Sequence, residues 1–119
     1  MSEMHVSAPP LKPAVFYILL ALADGDSHGY AVMQAVRERS GGRVAMHTGS
    51  FYRHLAGLLE TGQVAEIAGS ATAKSRDPRR GVSYRLTPAG RRTIEAERQR
   101  LVELLKSFDT LRPLSKKSA

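Results

Sequence analysis

The chain contains no cysteine, which removes disulfide scaffolds, thiolate zinc sites and cysteine nucleophiles together and makes a reducing cytoplasm the expected compartment. Its longest apolar run, Ala14 to Ala23, falls well short of the roughly 20 residues that a membrane-spanning helix needs. No basic stretch leads into a signal-peptide core, so a non-membrane protein is expected. None of the four histidines, His5, His28, His47 and His54, forms the i, i+4 pair with a carboxylate that marks a helical zinc site. No metal and no cofactor are expected. A nucleophile elbow, a glycine-rich phosphate loop and a recognisable pair of catalytic carboxylates are missing too, and the chain reads as a non-enzyme. Acidic residues are scarce: 11 Asp and Glu stand against 18 Lys and Arg, a net charge of +7.

What is present is one domain's worth of protein, 119 residues with 42% hydrophobic and 24% charged side chains, values typical of a globular chain. The positive charge is regional. Residues 1 to 73 hold five basic and six acidic residues, whereas residues 74 to 119 hold thirteen basic and five acidic. A polyanion meets that second region first, and thirteen of the eighteen basic residues are arginine, whose planar fork suits phosphate.

Met1 to Pro10 lacks an apolar period and reads as a mobile arm. Leu11 onward turns apolar and predicts a buried helix over Lys12 to Ala23, stopped by Asp24-Gly25-Asp26. Ser27 is placed to cap a second helix with Tyr30, Met33, Val36, Ala31 and Ala35 on one face, ending before Gly41-Gly42. Thr48 is placed to cap a third, whose core stripe is Phe51, Leu55, Leu58 and Leu59 and whose outer side carries Ser50, Arg53, Gly57 and Glu60. His54 and Tyr52 flank that side, and Gly62 ends the helix at C′. The period then changes to two over Gln63 to Ala68 and Gly81 to Leu86, which predicts a hairpin. Its tip, Gly69 to Arg80, is polar and turn-rich, with Lys74, Arg76, Arg79 and Arg80 against the single acid Asp77.

Thr87-Pro88 opens a last helix, with Gly90 weakening its first turn. Ile94, Leu101 and Phe108 then fall seven apart, Leu104 and Leu111 follow three later, and Glu97 interrupts the second series. With Leu105 and Val102 the seam exceeds what a small core covers. Ile94, Leu101, Leu104, Leu105, Phe108 and Leu111 are therefore expected at a subunit interface, each worth roughly 1.5–3 kcal/mol if buried.

Helix, helix, helix, strand, charged loop, strand is the order of a winged helix-turn-helix. The expected fold is mainly α (α+β): a three-helix core, a two-stranded β wing and a long C-terminal dimerisation helix. Residues 1–10 form the arm, 11–87 the DNA-binding domain, 88–112 the dimerisation helix and 113–119 a basic tail. An α-helix fits the major groove, which nominates Ser50, Arg53 and His54 for base edges, with Tyr52 at the margin either on DNA or packed against the wing. Gly49 lets the helix start approach a phosphate. Lys74, Arg76, Arg79 and Arg80 are placed to reach the backbone or an adjacent minor groove. His28 and Tyr30 are read as fixing the start of the second helix.

Three segments carry a resemblance: Ile18 to Met33 with His28-Gly29-Tyr30, Gly49 to Gly62 with Gly49-Ser50-Phe51-Tyr52, and Tyr84-Arg-Leu-Thr-Pro-Ala-Gly-Arg91. From about residue 11 to 111 the chain looks like the PadR family of bacterial transcriptional regulators. The resemblance implies a homodimeric repressor on double-stranded DNA, read by the third helix, held by the wing and released by a small aromatic or cationic effector. Phe16, Tyr17, Leu101 and Phe108 are candidate liners of a cavity for such an effector. Two departures stand out: Arg53 occupies a position where family members often carry proline, and the wing loop is long. The single final helix looks like the short branch of the family. The alternative reading is a winged-helix adaptor that binds an acidic protein or RNA.

Overall fold

The computed structural model describes residues 10–68 and 81–111. The N-terminal arm up to residue 9, the basic tip with Lys74, Arg76, Arg79 and Arg80, and the C-terminal tail lie outside the described residues. The elements run α1 (Pro13–Ala23), β1 (Ser27–His28), α2 (Gly29–Arg39), α3 (Thr48–Glu60), β2 (Val64–Ala68), β3 (Val82–Leu86) and α4 (Pro88–Asp109). The fold is α+β, as the order of periodicities predicts.

The core forms where four helices and the sheet turn their apolar sides inward. Ile18, Leu19 and Leu22 of α1, Val32 and Val36 of α2, and Phe51, Leu55 and Leu58 of α3 are buried with Val64, Tyr84, Leu86 and Ile94. In α1, Ile18, Leu19, Ala21 and Leu22 are all buried, so the helix is covered around most of its girth, consistent with its near-continuous apolar run. The expected stripe of α3 is present, with Leu59 half-buried at its edge.

α3 stops through backbone geometry. Gly62 has φ +77°, a left-handed conformation that glycine adopts without a Cβ penalty. It lets Gln63 N–H donate to Leu58 O at 2.9 Å and Gly62 N–H to Leu59 O at 3.1 Å, the paired bonds of a Schellman turn.

Several local expectations change on packing. Ser27 does not cap α2; His28 is the N-cap residue, because Ser27 and His28 form a short strand against β3. The wing thus belongs to a three-stranded antiparallel sheet ordered β1-β3-β2, not to an isolated hairpin. Val64 pairs with Leu86 and Glu66 with Tyr84, while Ser27 meets Tyr84 and His28 meets Ser83 on the other side. The α3 cap position is His47, one residue before Thr48. The buried face of α2 is Gly29, Val32 and Val36, so Tyr30, expected in the core, projects outward with 68% of its surface exposed.

α4 begins as its sequence predicts, with the Thr87 hydroxyl accepting from Gly90 N at 3.0 Å. Gly90 has a packing reason rather than being a weakness. A Cβ there would overlap the Gln63 carbonyl oxygen and come within 2.6 Å of Leu86 Cδ1, so only glycine lets α4 lie against the end of α3 and β3. Along α4 the buried residues are Gly90, Ile94 and Glu97. Ile94, expected at the subunit interface, is 9% exposed and packs in the protomer's own core. Glu97, the break in the seam, is also turned inward and only 7% exposed. Arg100 grips it in two places, Nη2 to Oε2 at 2.6 Å and Nε to Oε1 at 3.1 Å, and the Leu11 backbone N–H donates to it as well. These contacts hold its carboxyl below the usual range, against the opposing effect of burial.

Candidate nucleic-acid interface

The outer side of α3 is polar and open. Ser50 is half-buried, Arg53 is exposed, and Gly57 and Glu60 follow along the same side, at the 3.6-residue spacing that brings them together. Among the described residues Arg53 and His54 have no hydrogen bond or ion pair, so the guanidinium at position 53 is not engaged in holding this part of the fold together. Two glycines accompany them. A methyl group at Gly49 or Gly57 would meet nothing within 4 Å, although glycine inside a helix costs about 1 kcal/mol relative to alanine. Neither glycine is required by packing, and the result is a low-relief helix face with one long cation on it.

Tyr52 does not share this freedom. It is half-buried, its ring edge-on to Phe51 with centroids 4.9 Å apart. Its hydroxyl lies over Gly29 at the start of α2. The side chain is thus turned toward the start of α2.

The segment entering α2 is fastened to the base of the wing. Arg85 on β3 donates from Nη2 to Asp26 Oδ2 at 2.8 Å and from Nε to both carboxylate oxygens at 3.3 Å. The pair lowers the Asp26 pKa through the Arg85 hydrogen bond, and the two side chains are 59% and 43% exposed. His28 Nδ1 and Ser83 Oγ lie 3.3 Å apart. The start of α2, the start of α3 and the root of the wing are therefore joined through one short stretch, Asp26 to Gly29. Sequence reasoning missed Asp26 and Arg85, because an ion pair between residues 59 apart leaves no periodic signal.

A second surface lies on the far half of α4. From Leu101 to Leu111 every residue except Val102 is exposed, including Leu104, Leu105, Phe108 and Leu111. Where α4 passes α1, an open cleft of about 410 Å³ is lined by Phe16, Leu20, Ile94, Leu101 and Leu105, among others, together with Arg91, Glu95 and Arg98. Of the four residues expected around an effector cavity, Phe16 and Leu101 line this cleft. Tyr17 stacks edge-on against Phe16 at 5.1 Å without lining it, and Phe108 lies beyond it. Among the described residues no group of three or more His, Cys, Asp or Glu side chains is arranged to hold a metal ion, and no helix is long and apolar enough to cross a membrane.

Comparison with known proteins gives this geometry a family. Residues 18–96 match the Transcriptional regulator PadR-like family. An uncharacterized 37.1 kDa protein in a transposon of Streptomyces fradiae is 35% identical over 91 residues, 76% of this chain and 24% of that protein. The chain thus spans about a quarter of the length of the curated relative it matches. Among solved structures, a PadR family transcription regulator from Clostridium difficile superposes with a TM-score of 0.67 at 21% identity, over 82% of this chain and 96% of that one. Bacillus subtilis PadR in complex with operator DNA superposes with a TM-score of 0.60 at 20% identity, over 71% of this chain and 46% of that one. At those identities the likeness is one of fold, whereas the family match covers most of the chain; this protein belongs to the PadR-like family of transcriptional regulators.

Proposed function

We propose that the chain is a sequence-specific DNA-binding regulator that acts as a homodimeric repressor on an inverted-repeat operator. The observation that carries this reading is the outer side of α3, where Arg53 has no partner among the described residues and Gly49 and Gly57 have no packing role. In the major groove Arg53 would reach a base edge, with Ser50 and His54 beside it. Gly49 would let the helix start approach a phosphate, favoured by its N-terminal dipole. Lys74, Arg76, Arg79 and Arg80, between β2 and β3, would hold the DNA backbone. The solved B. subtilis PadR complex, a protein of the same fold on operator DNA, supports the DNA assignment.

The exposed half of α4 supports dimerisation. Leu101, Leu104, Leu105, Phe108 and Leu111 together forgo several kcal/mol of burial in an isolated protomer, at roughly 1.5–3 kcal/mol each. In this reading residues 11–87 bind DNA and 88–112 join two copies. A small aromatic or cationic effector entering beside Phe16 and Leu101 would bias the geometry of the pair. The test is fluorescence-anisotropy binding to the upstream DNA of the protein's own gene and to a scrambled duplex of equal length, at two salt concentrations. A preference on the order of a thousandfold is expected. Equal, weak and salt-labile binding to both duplexes overturns sequence reading and favours an adaptor that meets an acidic protein or RNA.

A further inference from the structure

We propose that Tyr52 is a positioning residue that sets the angle of the reading helix by resting on Gly29. The inference deepens the DNA-binding reading above and rests on it. Gly29 is the first residue of α2 and is buried, and a Cβ built there would collide with the Tyr52 hydroxyl and lie 3.1 Å from Cζ and 3.3 Å from Cε1. Real side chains do not tolerate such an approach, so the bare backbone of Gly29 is the floor on which Tyr52 sits. The ring also meets Phe51, edge-on at 4.9 Å and fully buried.

The floor is itself anchored. Ser27 and His28, immediately before it, pair with Tyr84 and Ser83 of β3, and Asp26 is held by Arg85. When Tyr52 is pushed, Gly29 is the better fixed of the two, and the displacement passes into α3. The next residue along α3 is Arg53. Tyr52 thus acts on the DNA through the direction in which Arg53 and Ser50 point, without touching a base itself.

Three variants decide this: Gly29→Ala, Tyr52→Phe and the two combined. Gly29 has no left-handed φ, and the three atoms nearest to a Cβ there all belong to Tyr52; removing the hydroxyl leaves the ring only a few tenths of an ångström to give. Each variant is measured by thermal unfolding without DNA, and by affinity for the operator and for a scrambled duplex. Gly29→Ala is expected to lower the preference for operator about tenfold or more, with the salt dependence of binding to scrambled DNA unchanged. Tyr52→Phe alone is expected to lower the preference too, by less than Gly29→Ala does, because the ring loses its footing on Gly29, and the double variant, in which the alanine methyl takes the place of the hydroxyl, to recover most of what Gly29→Ala lost, in both preference and melting temperature.

If Tyr52→Phe alone loses affinity for both duplexes and the double variant is no better than Gly29→Ala, the hydroxyl is a direct DNA contact and the proposal fails. It fails as well if Gly29→Ala leaves the preference intact while lowering the melting temperature, since the contact is then only structural. A wild-type protein with no operator preference sinks the DNA-binding reading itself. That result is distinct from the variant failures, because the melting temperatures still report whether the contact couples the two helices.

Discussion

At the scale of single residues, the molecule separates side chains that hold the fold from side chains left outward. Arg53 is of the second kind, exposed and without a partner among the described residues, so Arg53→Ala should leave thermal stability within about 0.5 kcal/mol. Its effect should fall on discrimination at particular base positions, by about 1–3 kcal/mol. Operator variants assayed one position at a time check this, and a loss equal for every sequence would refute base reading. Gly90 is of the first kind. Alanine there should gain up to about 1 kcal/mol from helix propensity. It would nevertheless be forced onto the Gln63 backbone and Leu86, a crowding that costs about 1–3 kcal/mol, and Gly90→Ala should melt below the wild type.

The residue scale is also where the sequence was least legible. In the sequence Tyr30 shares one helical face with Met33 and Val36, yet the register of α2 is set by Gly29, Val32 and Val36, and a small residue at a close approach gives no apolar signal. Glu97 looked like an interruption in an interface seam, because a carboxylate satisfied by Arg100 and a backbone N–H is indistinguishable in sequence from a solvated one. The outward set on α3 was legible, since one helical period fixes both its buried stripe and its opposite side.

At the scale of elements, helix starts and strand limits followed from caps, proline and changes of period to within a residue or two. β1 did not, because two residues have no period, and it exists only through the partner strand β3. α4 divides into a half that packs on its own protomer and a half that does not. In the first half Glu97 ties α4 to Leu11 at the approach to α1. Its folded-state pKa is lowered, so the tie stabilises the protein above the ordinary glutamate pKa of about 4.3 and is lost as the pH falls through the lower folded value. Glu97→Gln should therefore cost about 1–3 kcal/mol at pH 7. Its deficit should shrink as denaturation is repeated below about pH 4. In the second half, Leu105→Glu with Phe108→Glu should convert a dimer to monomer in analytical ultracentrifugation while far-UV dichroism stays unchanged, since both side chains are exposed in the protomer. A dimer that persists would place the interface elsewhere.

At the scale of the whole molecule, the excess of positive charge falls in the second part of the sequence, which includes the stretch between β2 and β3. Replacing Arg79 and Arg80 together by alanine should weaken binding to every duplex alike and flatten the slope of log affinity against log salt by up to about two. In the dimeric reading, two α3 helices related by a two-fold axis place half-sites about one helical turn, roughly 34 Å, apart, which footprinting would show as paired protections.

The short strand Ser27–His28 makes the wing a poor module for transplantation. Its root is built partly from residues 55 and 59 positions upstream, His28 against Ser83 and Asp26 against Arg85. A wing exchanged between relatives as a contiguous cassette would arrive without the strand and the ion pair that seat it. Chimaeras that swap specificity in this fold should therefore carry both stretches together, and inheritance should keep the two in step for the same reason.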